Sequence, residues 1–134
     1  MKENAYIQLL SFILPPEMST FFDLVSVSED YLIGEGNAML HLHLDEKDLA
    51  PEGRKDLKPN GFYETMQIND FPIRDKKVML HVRRRRWIDA QGKSVSRDWD
   101  LVAQGTRLSK EFAAFLKEYL GYDPSNGQEP GETL

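Results

Sequence analysis

No cysteine occurs anywhere in the 134 residues. Disulfides and thiolate metal sites are therefore excluded, and the redox compartment leaves no mark on the sequence. Long apolar runs are missing as well. The opening MKENAYIQLLSFILPPE holds only a short one, and Glu3 with the pair Pro15-Pro16 makes it read as structure rather than as a secretory leader or a membrane span. A phosphate loop is absent, because Gly34-Glu35-Gly36 lacks both the third glycine and the lysine. So is a nucleophile elbow, and no histidine stands at a spacing that would activate a serine. Acids are plentiful, yet no pair can be singled out for acid–base work. These absences lead to the expectation of a non-catalytic, cofactor-free protein, soluble and cytoplasmic, with no membrane contact.

What the sequence does have is segregated charge. Between Asp70 and Lys110 stand eleven Lys/Arg against five acids, a window at +6, while the whole chain is at −5 and the remainder therefore at −11. The centre of the window is Arg83-Arg84-Arg85-Arg86-Trp87. A basic stretch of this kind points to a polyanionic partner, since binding answers to the local field more than to total charge. Arginine forks fit phosphate oxygens, and a neighbouring indole can stack on a base. The competing reading is a solvated edge strand, or arginines neutralised internally by Asp45, Glu46, Asp48 and Glu52.

Periodicity predicts one α+β domain over residues 1–122, an antiparallel sheet of about four or five strands with an N-terminal and a C-terminal helix packed on it. Ala5–Leu14 carries helical spacing, with Asn4 as N-cap and Pro15 as its stop. Pro16-Glu17-Met18-Ser19 can open a further turn. Phe21–Val27 reads as extended and Glu29–Asn37 as turn. Ala38–Leu44 alternates cleanly, Leu40, Leu42 and Leu44 against Met39, His41 and His43, and a hairpin between Phe22–Ile33 and Ala38–Leu44 follows. Asp48–Asn60 reads as a mobile loop and Gly61–Ile68 as a third strand, after which Asn69-Asp70-Phe71-Pro72 turns the chain. Lys77–Trp87 is the basic strand. Val78, Leu80 and Val82 share a face with Arg84 and Arg86, and beyond Val82 both faces are charged, so the strand should project past the core. A turn at Asp89–Gly92 leads to a short return strand, Lys93–Trp99. Ser109–Leu120 is the final helix, capped by Ser109 or Thr106 and ended by Gly121, with an apolar stripe of Phe112, Phe115, Leu116, Tyr119 and Leu120. The tail 123–134 is expected to be disordered.

The expected DNA contacts are Lys76, Lys77, Arg83, Arg84, Arg85, Arg86, Trp87, Arg97, Arg107 and Lys110. Strand alternation splits the run, so one of the pairs Arg83/Arg85 and Arg84/Arg86 faces DNA and the other faces solvent or the acidic half. A metal site on His41 and His43, with His81 as third ligand, is the rival chemistry; no metal is expected there.

The run Asp70-Phe71-Pro72-Ile73-Arg74, then Val78, Leu80-His81 and Arg83–Trp87, resembles the N-terminal region of bacterial insertion-sequence transposases. The continuation Ser96-Arg97-Asp98-Trp99-Asp100-Leu101-Val102-Ala103, with Gly105-Thr106-Arg107 and Glu111–Glu118, is similar to a branch that stands as a short separate reading frame. The likeness covers roughly Ala5–Tyr122. Its zinc-bearing members place a cysteine pair where this chain has Ile88-Asp89-Ala90-Gln91-Gly92, so a zinc ribbon is excluded. The resemblance implies an accessory part that binds the ends of a mobile element, partnered by a separately encoded catalytic transposase fragment that carries the catalytic carboxylates. Binding that fragment, rather than DNA, is the alternative role.

Overall fold

A computed structural model describes Ala5, Gln8, Leu9, residues 12–31 and residues 38–121. The fold class is α+β, as the periodicity predicts, but the strands fall into two sheets. The elements are α1 (Pro16–Phe21), β1 (Phe22–Tyr31), β2 (Ala38–Glu46), a 3-10 turn (Pro51–Gly53), β3 (Lys58–Phe62), β4 (Met66–Ile73), β5 (Lys76–Arg83), β6 (Arg85–Ile88), β7 (Ser94–Val95) and α2 (Lys110–Leu120). One sheet has the order β1-β2-β5-β4 and is mostly antiparallel; the other has the order β3-β6-β7, antiparallel throughout. Of the expected helix Ala5–Leu14, the described residues Ala5, Gln8 and Leu9 are helical and residues 12–14 form a turn and bend, while the Gly34–Gly36 turn and the tail 123–134 lie outside the described residues.

Contacts along the chain group it into two compact units. The first draws on Met1–Val27, Leu42–Met66 and His81–Asp98. Its buried side chains include Met18, Phe22, Leu42, Leu44, Leu57, Val82 and Trp87. Inward phase on β2 continues one step beyond the leucines and carries Glu46 into the interior at 1% exposure. The basic run does not project past the core. The strand breaks at Arg84, and Arg85–Ile88 becomes the central strand of the three-stranded sheet, with Trp87 fully buried. The supposed mobile loop is largely structured: it holds the 3-10 turn, buries Leu57 and contributes Lys58–Asn60 to β3. Pro59 is tolerated because β3 is an edge, and the register slips between Pro59 and Phe62, where Gly61 takes φ 78. The expected turn after the run is present, Gly92 donating to the Asp89 carbonyl at 3.0 Å with φ 81, although the return strand is only two residues long.

The second unit draws on Ser28–His41, Gln67–Leu80 and Trp99–Leu134. Ala38, Ile68, Val78, Leu80, Leu101, Ala113 and Leu116 are buried there. β4 runs straight through the predicted turn at Asn69–Pro72, because β4 is a sheet edge where a proline costs no ladder bond on its open side. The reversal comes at Arg74-Asp75, with Arg74 at φ 61. Likewise, β1 extends to Tyr31, taking in residues expected as turn. α2 begins and ends as the caps predict: Ser109 Oγ accepts from the Phe112 amide at 3.4 Å, and Gly121 adopts φ 66.

Candidate functional site

The arginine run is the first region to examine, and strand alternation organises it. Arg83 and Arg85 both lie over the Phe62 ring, at 4.2 and 4.6 Å from its centroid. Arg84 and Arg86 lie over the Tyr63 ring, at 5.0 and 5.7 Å. Of the odd-numbered pair, only Arg83 is neutralised by a carboxylate of the chain itself. Arg83 grips Asp45 through two parallel bonds of 2.6 Å, a fork that raises its guanidinium pKa above the ordinary value. The Arg85 amide donates to Glu46 Oε1 at 2.9 Å and its Nε to the Glu46 carbonyl at 3.1 Å. The even-numbered pair is different. Arg86 Nε donates to the Asn60 carbonyl at 3.1 Å, and Arg84 Nε, covered by neighbouring atoms, finds no acceptor. Among the described residues neither has a carboxylate in ion-pair range.

Trp87 must be withdrawn as a stacking residue. Its ring is fully buried and its indole N–H donates to Asp48 at 3.0 Å, so no face remains for a base. Arg97 turns inward as well, donating to the carbonyls of Leu49 (2.9 and 3.2 Å) and Ala50 (3.1 Å), stacked over Phe21 and 3.8 Å from Glu46. Three of the four acids expected to neutralise the run, Asp45, Glu46 and Asp48, do meet it or its tryptophan; Glu52 is exposed in the 3-10 turn. Lys76, Lys77, Arg107 and Lys110 belong to the other unit. There Lys76 pairs with Asp75 at 3.4 Å, Lys110 pairs with Asp100, and Arg107 is exposed. The +6 window is thus not a patch of that charge. The first unit's segments carry eleven basic and eleven acidic residues, the second's six against eleven.

The histidines also regroup. His41 pairs with Asp30 at 3.1 Å, while His43 and His81 stack across the neighbouring strands β2 and β5, centroids 4.5 Å apart and planes 13° from parallel. Stacked rings aim their lone pairs side by side rather than at one point. Among the described residues no group of three metal-ligating side chains forms. A polar cleft of about 200 Å³ adjoins the stack, lined also by Val25, Ser26, Asp45, Thr65 and Arg83.

In the second unit, the Asp70-Phe71 motif turns out to seat α2. Buried Asp70 accepts from Ser109 Oγ at 2.6 Å, and the backbone of Asn69 brackets the same loop, accepting from Ser109 at 2.8 Å and donating to Arg107 at 2.7 Å. Phe71 packs on Phe112 and Phe115, centroids 5.1 and 5.5 Å away. Yet the stripe expected as core is only partly covered. Ala113 and Leu116 take the inward line, and Tyr119 and Leu120 remain 68% and 65% exposed. Beside it opens a cleft of about 370 Å³ whose apolar lining includes Met39, Pro72, Val78, Leu108 and Phe112. Sequence reading missed this surface; Ala113, buried and small enough to let its side of the helix lie close to the support, was the available signal.

Comparison with protein-family models, with curated proteins and with solved structures yields no match. Among the described residues no helix is long and apolar enough to cross a membrane.

Proposed function

We propose that this chain is a non-catalytic accessory part of a bacterial insertion-sequence transposase and that it contacts DNA, at the element's ends, through Arg84 and Arg86. The observation that supports the reading is a difference within the run: Arg83 is forked to Asp45 and the Arg85 guanidinium is turned onto the Glu46 carbonyl, whereas among the described residues Arg84 and Arg86 have no acidic side-chain partner. The motif likeness from Asp70 to Glu118 supplies the transposase context. With the surrounding unit neutral overall, the contact is small, on the order of two phosphates. The test is a salt-titrated binding assay on element-end DNA against random DNA. Arg84→Ala with Arg86→Ala should weaken binding and flatten the log–log salt slope by about 1.8, two contacts at roughly 0.9 each. Arg83→Ala with Arg85→Ala should leave the slope in place and show itself in stability. A chain that ignores both DNAs at about 50 mM salt, where phosphate contacts are strong, has no such function.

A second reading has its own observation. The half-covered aromatic face of α2, beside an apolar cleft, suits a protein partner, here the separately encoded catalytic fragment. Tyr119→Ser with Leu120→Ser should leave folding intact and abolish co-purification with that fragment; retained co-purification would sink this reading.

A further inference from the structure

The sheets have four edges, and three of them are protected. β3 carries Pro59 and the irregularity at Gly61, β7 is two residues long, and β4 carries Pro72 and is bridged at Asn69 by Leu108. Proline, bulges, brevity and covering loops are the devices that keep an edge from recruiting another strand. Among the described residues β1 has none of these, its one guard being the acidic charge of Asp23, Glu29 and Asp30. It is ten residues long, without proline, glycine, lysine or arginine, and everything after Leu24 is exposed. Val25 and Val27 stand 59% and 49% open on one face of it, β-branched residues suited to strand pairing.

We propose that Asp23–Val27 of β1 is a docking edge for an extended segment of a protein partner, added to the sheet as a further strand, with apolar residues at alternate positions and a basic residue beside Asp23. Charge selects the occupant. The strand holds Asp23, Glu29 and Asp30 and no cation, so a second copy of β1 laid antiparallel along it would set acid toward acid, and like charges across a strand pair are unfavourable. A basic strand meets the opposite field. The edge also has a place for a side chain: the cleft of about 200 Å³ that Val25 and Ser26 line with His43, Thr65 and His81. That is room for one long polar side chain, and pockets of this sort give strand addition its selectivity while the main chain gives its affinity. The inference owes nothing to the arginines or to DNA.

The experiment uses the full chain and a nine-residue peptide of alternating valine and threonine with lysine at both ends, against the same peptide with glutamate at both ends. Amide hydrogen exchange is followed residue by residue. The lysine peptide should slow exchange at Leu24 and Ser26, whose amides alternate away from β2, at least tenfold, the glutamate peptide should not, and Val25→Lys with Val27→Lys should abolish the protection. Both substitutions fall on exposed positions, and the variant's unfolding curve checks that the fold is kept. Equal protection by the two peptides, protection confined to α2, or protection surviving in the double lysine variant would overturn the proposal. So would a peptide-free dimer whose β1 amides are already protected.

Discussion

Replacing Glu46 by alanine should be among the most costly single changes in the chain. This carboxylate is buried at 1% exposure on the inward face of β2, and two different groups depend on it. The Arg85 amide loses its acceptor at 2.9 Å, and an orphaned buried N–H costs about 1–3 kcal/mol. Arg97, 3.8 Å from Glu46 Oε2, loses its counter-charge. Breaking a buried ion pair costs about 3–5 kcal/mol. Arg97 is 24% exposed and keeps the Leu49 and Ala50 carbonyls, so its share falls below that range, to about 1–2 kcal/mol. A total near 3–4 kcal/mol is a large part of the roughly 5–15 kcal/mol that holds a domain folded, and at this length should lower Tm by about 10–15 °C. Glu46→Gln retains an acceptor for the amide and loses only the charge, so it should cost about 1–2 kcal/mol. Urea unfolding followed by tryptophan fluorescence measures both, Trp87 being a fully buried reporter in the same unit. An alanine variant within about 1 kcal/mol of the parent, well inside the ordinary spread for point changes, would refute the claim that the run is anchored from within.

Three further outcomes are expected. Ser109→Ala removes the α2 cap and the partner of buried Asp70 together, and should cost about 2–3 kcal/mol, read from loss of helical signal on heating. Asp45→Asn releases the Arg83 fork, whose side chain is 46% exposed; stability should change by about 0–1 kcal/mol, while DNA affinity rises and the salt slope steepens by about 0.9. Arg54→Ala should return the Asp56 carboxyl upward toward the usual carboxylate range, since the Arg54 hydrogen bond holds it below, as NMR titration would show. The sign follows: a depressed folded-state pKa gives stability that is present above the ordinary carboxylate value and lost as pH falls through the folded one.

Local chemistry was legible where one physical signal acts alone. Ser109 and Gly121 mark both ends of α2, the leucines of β2 mark its inward phase, and Asp89–Gly92 marks the turn. Expectations failed where a distant segment decides. Asn69–Pro72 looks like a turn because proline forbids a ladder donor, but at an edge strand that donor is not needed. Alternation alone put Trp87 on a charged face; the break at Arg84 and the transfer to a second sheet place it inside. The α2 stripe is only partly covered because amphipathic spacing reports which side is apolar, not how wide the support beneath it is.

The charge window shows the same principle in its most consequential form. Asp45, Glu46 and Asp48 meet Arg83, Arg85 and Trp87 across separations of 38 or 39 residues, a nearly constant offset set by two neighbouring chain segments running side by side in parallel order. A window slid along the sequence cannot see such an offset, so it counts as free charge what the fold has already matched. The consequence for function is quantitative. Two guanidiniums give a shallow salt dependence and, by themselves, weak retention of DNA at physiological ionic strength. Under the proposed reading that weakness is workable only if another part of the complex holds the duplex, because tethering turns a feeble contact into an intramolecular one at high effective concentration. The exposed face of α2 and the open edge of β1 are where such a tether can attach, which makes protein docking a condition of the DNA contact rather than its competitor.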